Sequence, residues 1–147
     1  MSKTIVSALV LTTLLMFSAS ADARDSKRMW SVEDAMNSPD GQSLLGTDIQ
    51  FFFGEGNHPA IERNIGNWMS NKKTNAFNKS DQAACTRAFL SAMIALRDRA
   101  RREGGNAVVN IVSFYKRNHV SSETEFECGA GNVVAGVTLR GDVVTLK

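Results

Sequence analysis

The sequence has 147 residues, of which 43% are hydrophobic, and this is enough to form the core of one small domain. The 17 Lys and Arg residues nearly balance the 15 Asp and Glu residues, so the formal net charge is only +2 at pH 7. Nucleic-acid-binding domains concentrate far more positive charge on one face, and we therefore expect no nucleic-acid partner.

A cleavable signal peptide is predicted over residues 1–23. Lys3 precedes an uncharged apolar run at 5–19, and small residues leading up to Ala23 fit a signal peptidase site. The run is shorter than the roughly 20 residues that cross a bilayer as a helix, and no Cys near the site can carry a lipid. We therefore expect residues 24–147 to form one periplasmic or secreted domain without a membrane anchor.

The first part of the predicted domain contains few regular elements. Ser31 is followed by an acid three residues later, which predicts a short capped helix that ends by Pro39. A strand is predicted at 48–53. The glycines, asparagines and proline between 54 and 79 favour irregular chain, with a turn of helix at 60–65.

A loop within that region is the best sequence candidate for a binding surface. It carries Lys72, Lys73, Asn75 and Phe77, which interleave positive charge, amide and aromatic groups. Such a surface can bind an anionic polymer or a glycan. The favoured interpretation is a solvated loop that leads into the next helix, with Phe77 packed against the core.

A long helix is predicted from Ser80 to Glu103. Ser80 can accept hydrogen bonds from free amides of the first turn, and a cluster of arginines lies at the other end, where the helix dipole favours cations. Gly104 follows and can adopt the left-handed conformation that ends a helix. Apolar residues recur at steps of three and four, which predicts one buried face. These residues are Cys85, Phe89, Ala92 or Met93, Leu96 and Ala100.

Three strand regions are predicted after the helix. Residues 106–115 are β-branched and aromatic, and 123–128 alternate acids with Thr, Phe and Cys. The alternation predicts that Glu123, Glu125 and Glu127 face water. The runs 132–139 and 142–146 form a hairpin or one bent strand. The predicted fold class is α+β, with one long helix packed on an antiparallel β-sheet.

The two cysteines, Cys85 and Cys128, are predicted to form a disulfide that joins this helix to a strand. Two thiols in an exported protein meet an oxidising compartment, where such a pair usually forms a bond. The sequence contains no C-x-x-C pattern and no histidine at ligand spacing from either cysteine. A redox or metal role for the two cysteines is therefore not favoured.

No catalytic residue or cofactor is predicted. The chain has only two histidines, His58 and His119, and lacks a G-x-S-x-G elbow, a Walker-type phosphate loop and a dinucleotide-binding loop. A metal site that uses these histidines and nearby acids is the weaker alternative to a binding domain, and a hydrolase is the third.

The junction at 100–109, Ala-Arg-Arg-Glu-Gly-Gly-Asn-Ala-Val-Val, resembles the helix-to-strand junction of the YbjQ-like and RcsF-like families, and 131–138 resembles their terminal strand. The resemblance covers 80–147. Within it, the chain looks similar to small secreted proteins labelled "excinuclease ATPase subunit", with counterparts of 72–77 and 120–128. That label implies an ATPase, but without a Walker loop we expect no ATPase activity.

The resemblance also implies a class of function. An RcsF-like protein is an envelope sensor domain that contacts other envelope proteins, and a YbjQ-like protein is a small oligomerising domain sometimes described as heavy-metal-binding. We therefore expect a non-enzymatic domain that serves in envelope stress response or binds an envelope protein or an anionic ligand.

Overall fold

The computed structural model describes residues 24–147 and has an α+β fold. The predicted signal peptide lies outside the described residues. The strands are β1 (Ser26–Ser31), β2 (Gln50–Phe53), β3 (Ile61–Asn75), β4 (Ala107–Ser113), β5 (Glu125–Ala130) and β6 (Val134–Leu146). The helices are α1 (Val32–Asn37), α2 (Pro39–Leu45) and α3 (Asp81–Glu103), with a 3₁₀ turn at Tyr115–Arg117.

Helix α3 confirms the predicted long helix and both of its ends. The Ser80 hydroxyl caps it by accepting a hydrogen bond from Ala83 N at 3.1 Å, and Gly104 ends it with a left-handed φ of 77°. Phe89 and the rest of the predicted apolar face are buried. This face packs against β3, β5 and β6, so the helix covers one side of the sheet.

Strand β6 is the centre of the sheet, because strands pair with it along both edges. Gly136 pairs with Lys73 of β3 on one side and with Gly129 of β5 on the other. Further along, Arg140 lies between β3 and β4 in the same way. Strands β1 and β2 then extend the sheet beyond β5 and β4. All pairs are antiparallel except β2 with β4, so the predicted antiparallel sheet is confirmed with one parallel addition.

The core lies between α3 and the sheet. Cys85 of α3 and Cys128 of β5 form the predicted disulfide, with their Cα atoms 5.8 Å apart. One helical turn further on, the ring of Phe89 stacks on Phe126 at a centroid distance of 4.2 Å and contacts Phe53 at 6.0 Å. The disulfide and this aromatic cluster together fix α3 to the middle of the sheet.

The longest strand, β3, lies where irregular chain was predicted between 54 and 79, and the turn of helix predicted at 60–65 is absent from this described segment. Both predictions were wrong. Glycine and asparagine have low strand propensity, but β3 pairs with β6 along its whole length, and such pairing overrides local preference. The two final runs of the sequence form one strand, β6, which provides the partner for this pairing.

Glu127 is buried, although alternation predicted that every acid of this strand faces water. Its side chain is only 8% exposed, whereas Glu125 remains exposed. Glu127 lies on the sheet face opposite Cys128, and its N–H donates to Ser113 Oγ at 2.9 Å. The Tyr115–Arg117 turn packs on β5. Alternation therefore separated the two faces correctly, but the second face is covered at Glu127.

Candidate functional site

An apolar patch on the surface is formed by Phe77, Val133 and Val134. These side chains are 61%, 60% and 46% exposed, and they line one shallow hollow of about 530 Å³ together with Lys73. The prediction that Phe77 packs against the core was wrong. Exposed apolar side chains that cluster in this way are typical of interaction sites, whereas scattered ones are ordinary.

The chain before α3 turns Phe77 outward. The Phe77 N–H donates to the Asn75 side-chain oxygen at 2.8 Å, and Asn78 has a left-handed φ of 57°. Ala76, and not Phe77, enters the core, and its N–H donates to the Val133 carbonyl at 2.7 Å. This hydrogen bond joins the turn before α3 to the turn before β6, so both sides of the apolar patch are held by backbone.

A second hollow of about 410 Å³ adjoins the patch and shares Lys73, Val133 and Val134 with it. Tyr115 and the glycines of β5 and β6 line its other side. Burial raises the pKa of Tyr115, and the nearby Asp25 carboxylate raises it further. Asp25 itself forms an ion pair with Lys116, which lowers the pKa of Asp25. The phenol therefore stays protonated and can donate a hydrogen bond.

Arg24 lies at the rim of this second hollow and is held on three sides. Its guanidinium contacts both carboxylate oxygens of Asp81 at 2.7 and 3.0 Å, and it donates to the Gly131 carbonyl at 3.1 Å and to the Asn132 side-chain oxygen at 3.0 Å. The hydrogen bond from Arg24 lowers the pKa of Asp81. The ion pair thus fastens the start of the described chain to the first turn of α3, next to the patch.

Three of the four residues of the predicted binding loop, Lys73, Asn75 and Phe77, line one hollow, whereas Lys72 lies elsewhere. Lys72 and Lys73 are neighbours on β3, so their side chains point to opposite faces of the strand. Lys73 joins Phe77 at the apolar patch, whereas Lys72 lines a cleft beside α3. The Asn75 side-chain oxygen accepts the hydrogen bond from Phe77 N in the turn before α3. The sequence analysis treated this segment as a loop, which concealed that its two lysines lie on different faces of a strand.

A polar cluster on the face of the sheet away from α3 escaped the sequence analysis. Asp142 accepts hydrogen bonds from the side-chain amides of Asn67 and Asn110, both at 2.8 Å. Asn110 has a left-handed φ of 52°, and its side-chain oxygen accepts from Gly56 N at 2.8 Å. These residues come from three strands and a turn, and their spacing in the sequence carries no indication of this contact.

The two histidines lie in polar surroundings. His119 Nε2 is 2.8 Å from Glu55 Oε1, and the His58 ring contacts the Pro59 carbonyl at 2.8 Å. Among residues 24–147, no three side chains of the His, Cys, Asp and Glu types come together as a metal-binding group. The metal-binding alternative therefore stays a prediction.

Comparisons with protein-family models, curated proteins and solved structures found no significant match to this chain. No helix within residues 24–147 is long and apolar enough to span a membrane.

Proposed function

We propose that this chain is an exported, non-enzymatic binding domain of the YbjQ/RcsF-like kind that docks an envelope protein through its apolar patch. The observation that carries the proposal is the position of the exposed apolar side chains. Within residues 24–147 the large hydrophobic residues that are exposed are Leu44, Met69, Phe77, Val133 and Val134. Three of these five share one hollow, and a protein partner that fills it removes all three from water.

The charge beside the patch defines the chemistry of the partner. Lys73 lines both hollows and has no ion-pair partner within residues 24–147. Close by, Arg24 at the rim is already paired with Asp81, so Lys73 is the uncompensated charge beside the patch. A complementary partner therefore presents an apolar side chain flanked by a carboxylate. Opposite charges at the edge of such an interface speed association and fix its orientation.

The disulfide supports the export part of the proposal. Cys85 and Cys128 are fully buried and bonded, and such bonds persist in oxidising compartments such as the periplasm. Mass analysis of the mature N-terminus tests export directly, and a chain that begins at Arg24 is the expected result.

Site-specific photocrosslinking in cells that export the protein tests the docking surface. A photoreactive amino acid at Val133 is expected to yield one crosslinked product, and the same probe at the exposed but distant Leu44 serves as the matched control. Adding Lys73→Glu to the Val133 variant is expected to abolish the product, since it reverses the charge beside the patch.

The crosslinked protein is then purified and titrated with the unmodified domain. Binding that weakens about tenfold or more with Phe77→Ser supports the proposal, because a buried aromatic residue at the centre of an interface is worth at least that much. Equal crosslinking from Val133 and Leu44, or a product indifferent to Lys73→Glu, would contradict it. Crosslinking of Val133 to lipid alone would assign the patch to a membrane surface instead.

A further inference from the structure

A narrow cleft of about 300 Å³ lies between β3 and the last two turns of α3. We call it the β3–α3 cleft. It is lined by Trp68, Ser70 and Lys72 of β3, with the intervening residues of that strand, and by Ala95, Leu96, Arg99 and Arg102 of α3. It is separate from the apolar patch, because the side chains of Lys72 and Lys73 leave β3 on opposite faces.

Ser70 contributes a hydroxyl group that has no hydrogen-bond partner among residues 24–147. Its side chain is only 6% exposed, and its Oγ atom is buried. A buried polar group without a partner destabilises a folded protein, so such groups are rare and often belong to sites that bind something. Ser70 lines the cleft, and a change of its side-chain rotamer would bring the buried Oγ atom to a ligand bound there.

Three cations line the same cleft as Ser70. Lys72 and Arg102 are exposed and have no ion pair within residues 24–147. Arg99 is already engaged, because its Nη1 lies 3.2 Å from Glu103 Oε1 and its guanidinium lies over the Trp68 ring at 5.3 Å. Among the described residues the cleft therefore holds two uncompensated positive charges and one positioned guanidinium, and Glu103 is the one acid that pairs with any of the three.

We propose that the β3–α3 cleft binds a tetrahedral oxyanion, namely a phosphate or sulfate group. Lys72, Arg99 and Arg102 supply charge-assisted donors, and the Ser70 hydroxyl supplies a neutral donor from the floor of the cleft. Guanidinium groups match such oxyanions with two parallel hydrogen bonds, and an ammonium group adds a point charge. The anion gives the buried hydroxyl the partner that it lacks.

The arginines also have a structural role that the test must separate from binding. Arg102 lies in the last turn of α3, where a cation interacts favourably with the negative end of the helix dipole. That interaction changes the stability of the free protein, whereas anion binding appears only in a titration. Replacing Ser70 separates the helix-dipole effect from binding most sharply, because its hydroxyl has no partner among the described residues.

The test is a titration of the purified protein with sodium phosphate and then sodium sulfate, followed by nuclear magnetic resonance at constant ionic strength. The Trp68 indole and Ser70 amide signals are expected to shift and saturate, while the indole signal of Trp30 serves as an internal reference. Lys72→Gln and Arg102→Gln are each expected to weaken binding about tenfold, since each removes one charge-assisted donor. Lys73→Gln, next along the strand but on the other face, is the matched control and is expected to bind normally.

Ser70→Ala is expected to weaken phosphate binding while leaving the urea midpoint unchanged or raised, because it removes an unpaired buried hydroxyl. Signals that do not saturate, or equal weakening by Lys73→Gln and Lys72→Gln, would overturn the proposal. Vesicle flotation with phosphatidylglycerol then identifies the source of the phosphate. Flotation that Lys72→Gln abolishes supports a lipid headgroup, whereas phosphate binding without flotation supports a soluble phosphate.

Discussion

The side chain of Tyr115 fills the space that a Cβ atom at Gly129 would occupy. A Cβ built there would lie 2.1 Å from the Tyr115 hydroxyl oxygen, which is far closer than any nonbonded contact. The neighbouring Gly136 of β6 also borders the ring, with a Cβ position 3.3 Å from Cε2. The paired glycines therefore leave room for the aromatic ring to pack directly on the strand backbone. The ring in turn shields this backbone, which has no side chains of its own to cover it.

This contact predicts that Gly129→Ala destabilises the protein. The added methyl group displaces the Tyr115 ring, and we expect the free energy of unfolding to fall by about 1–3 kcal/mol, as for other overpacked sites. Urea denaturation followed by circular dichroism measures the change. Gly136→Ala serves as the control and is expected to have a smaller effect, since its contact with the ring is longer.

A double-mutant cycle identifies the cause. In a Tyr115→Ala background, the loss from Gly129→Ala is expected to shrink markedly, because the clashing ring is gone. An undiminished loss would mean that the strand backbone at Gly129, and not Tyr115, requires glycine.

The disulfide is expected to account for a large share of the stability. Replacing Cys85 and Cys128 together with alanine is expected to lower the free energy of unfolding by about 2–4 kcal/mol, because the unfolded chain loses a cross-link between residues 43 apart. Urea denaturation of the variant, and of the unmodified protein with and without reductant, measures this loss. A urea midpoint that neither reduction nor the double substitution lowers would contradict the prediction.

The ion pair between Asp48 and Arg101 predicts a pH dependence. Hydrogen bonds from Arg101, at 2.6 and 2.7 Å, lower the pKa of Asp48 from 3.8 to about 2. A carboxylate with a lowered pKa in the folded state stabilises that state above pH 3.8, and the contribution is lost as the pH falls towards 2.

Asp48→Asn is therefore expected to lower the melting temperature near pH 6. The difference in melting temperature between the variant and the unmodified protein is expected to shrink as the pH falls from about 4 to 2. Thermal melts at low salt measure both. High salt is expected to reduce the difference at pH 6 as well, because the pair is exposed. A difference that persists at pH 2 would show that Asp48 acts through contacts other than its charge.

The left-handed backbone of Asn110 predicts an unusual order among substitutions. Asn110→Ala and Asn110→Gly lose the same hydrogen bonds to Asp142 and Gly56, but only alanine is strained at a φ of 52°. The glycine variant is therefore expected to be more stable than the alanine variant by about 1 kcal/mol. Urea denaturation compares the two, and an alanine variant of equal stability would contradict the assignment of strain.

Much of the fold was predictable from local patterns. The capping residue Ser80, the terminator Gly104 and the apolar periodicity between them act over neighbouring residues, so the bounds and buried face of α3 were correct. The strong β propensity of 107–113 identified β4 for the same reason. Strand β3 was missed because its residues favour turns, and only a neighbouring strand makes them extended.

The candidate sites were likewise predictable only where they depend on local composition. The segment of Lys72, Lys73 and Phe77 was recognised by its composition, but its division between the apolar patch and the β3–α3 cleft requires the pleat of β3. The sequence did not indicate that Ser70 and Arg102 belong to a site. Whether a hydroxyl or a cation has a partner depends on the residues around it in the folded protein.

The sequence by itself determined the long helix, because capping and apolar periodicity depend on residues close together in the chain. It also determined the disulfide, because Cys85 and Cys128 are the only two thiols of the sequence. It also predicts export through its first 23 residues. The tertiary structure alone decided that Phe77 faces water, that Glu127 is covered and that Tyr115 lies on Gly129. Each of these depends on which strands become neighbours, and that is settled by packing across the whole domain.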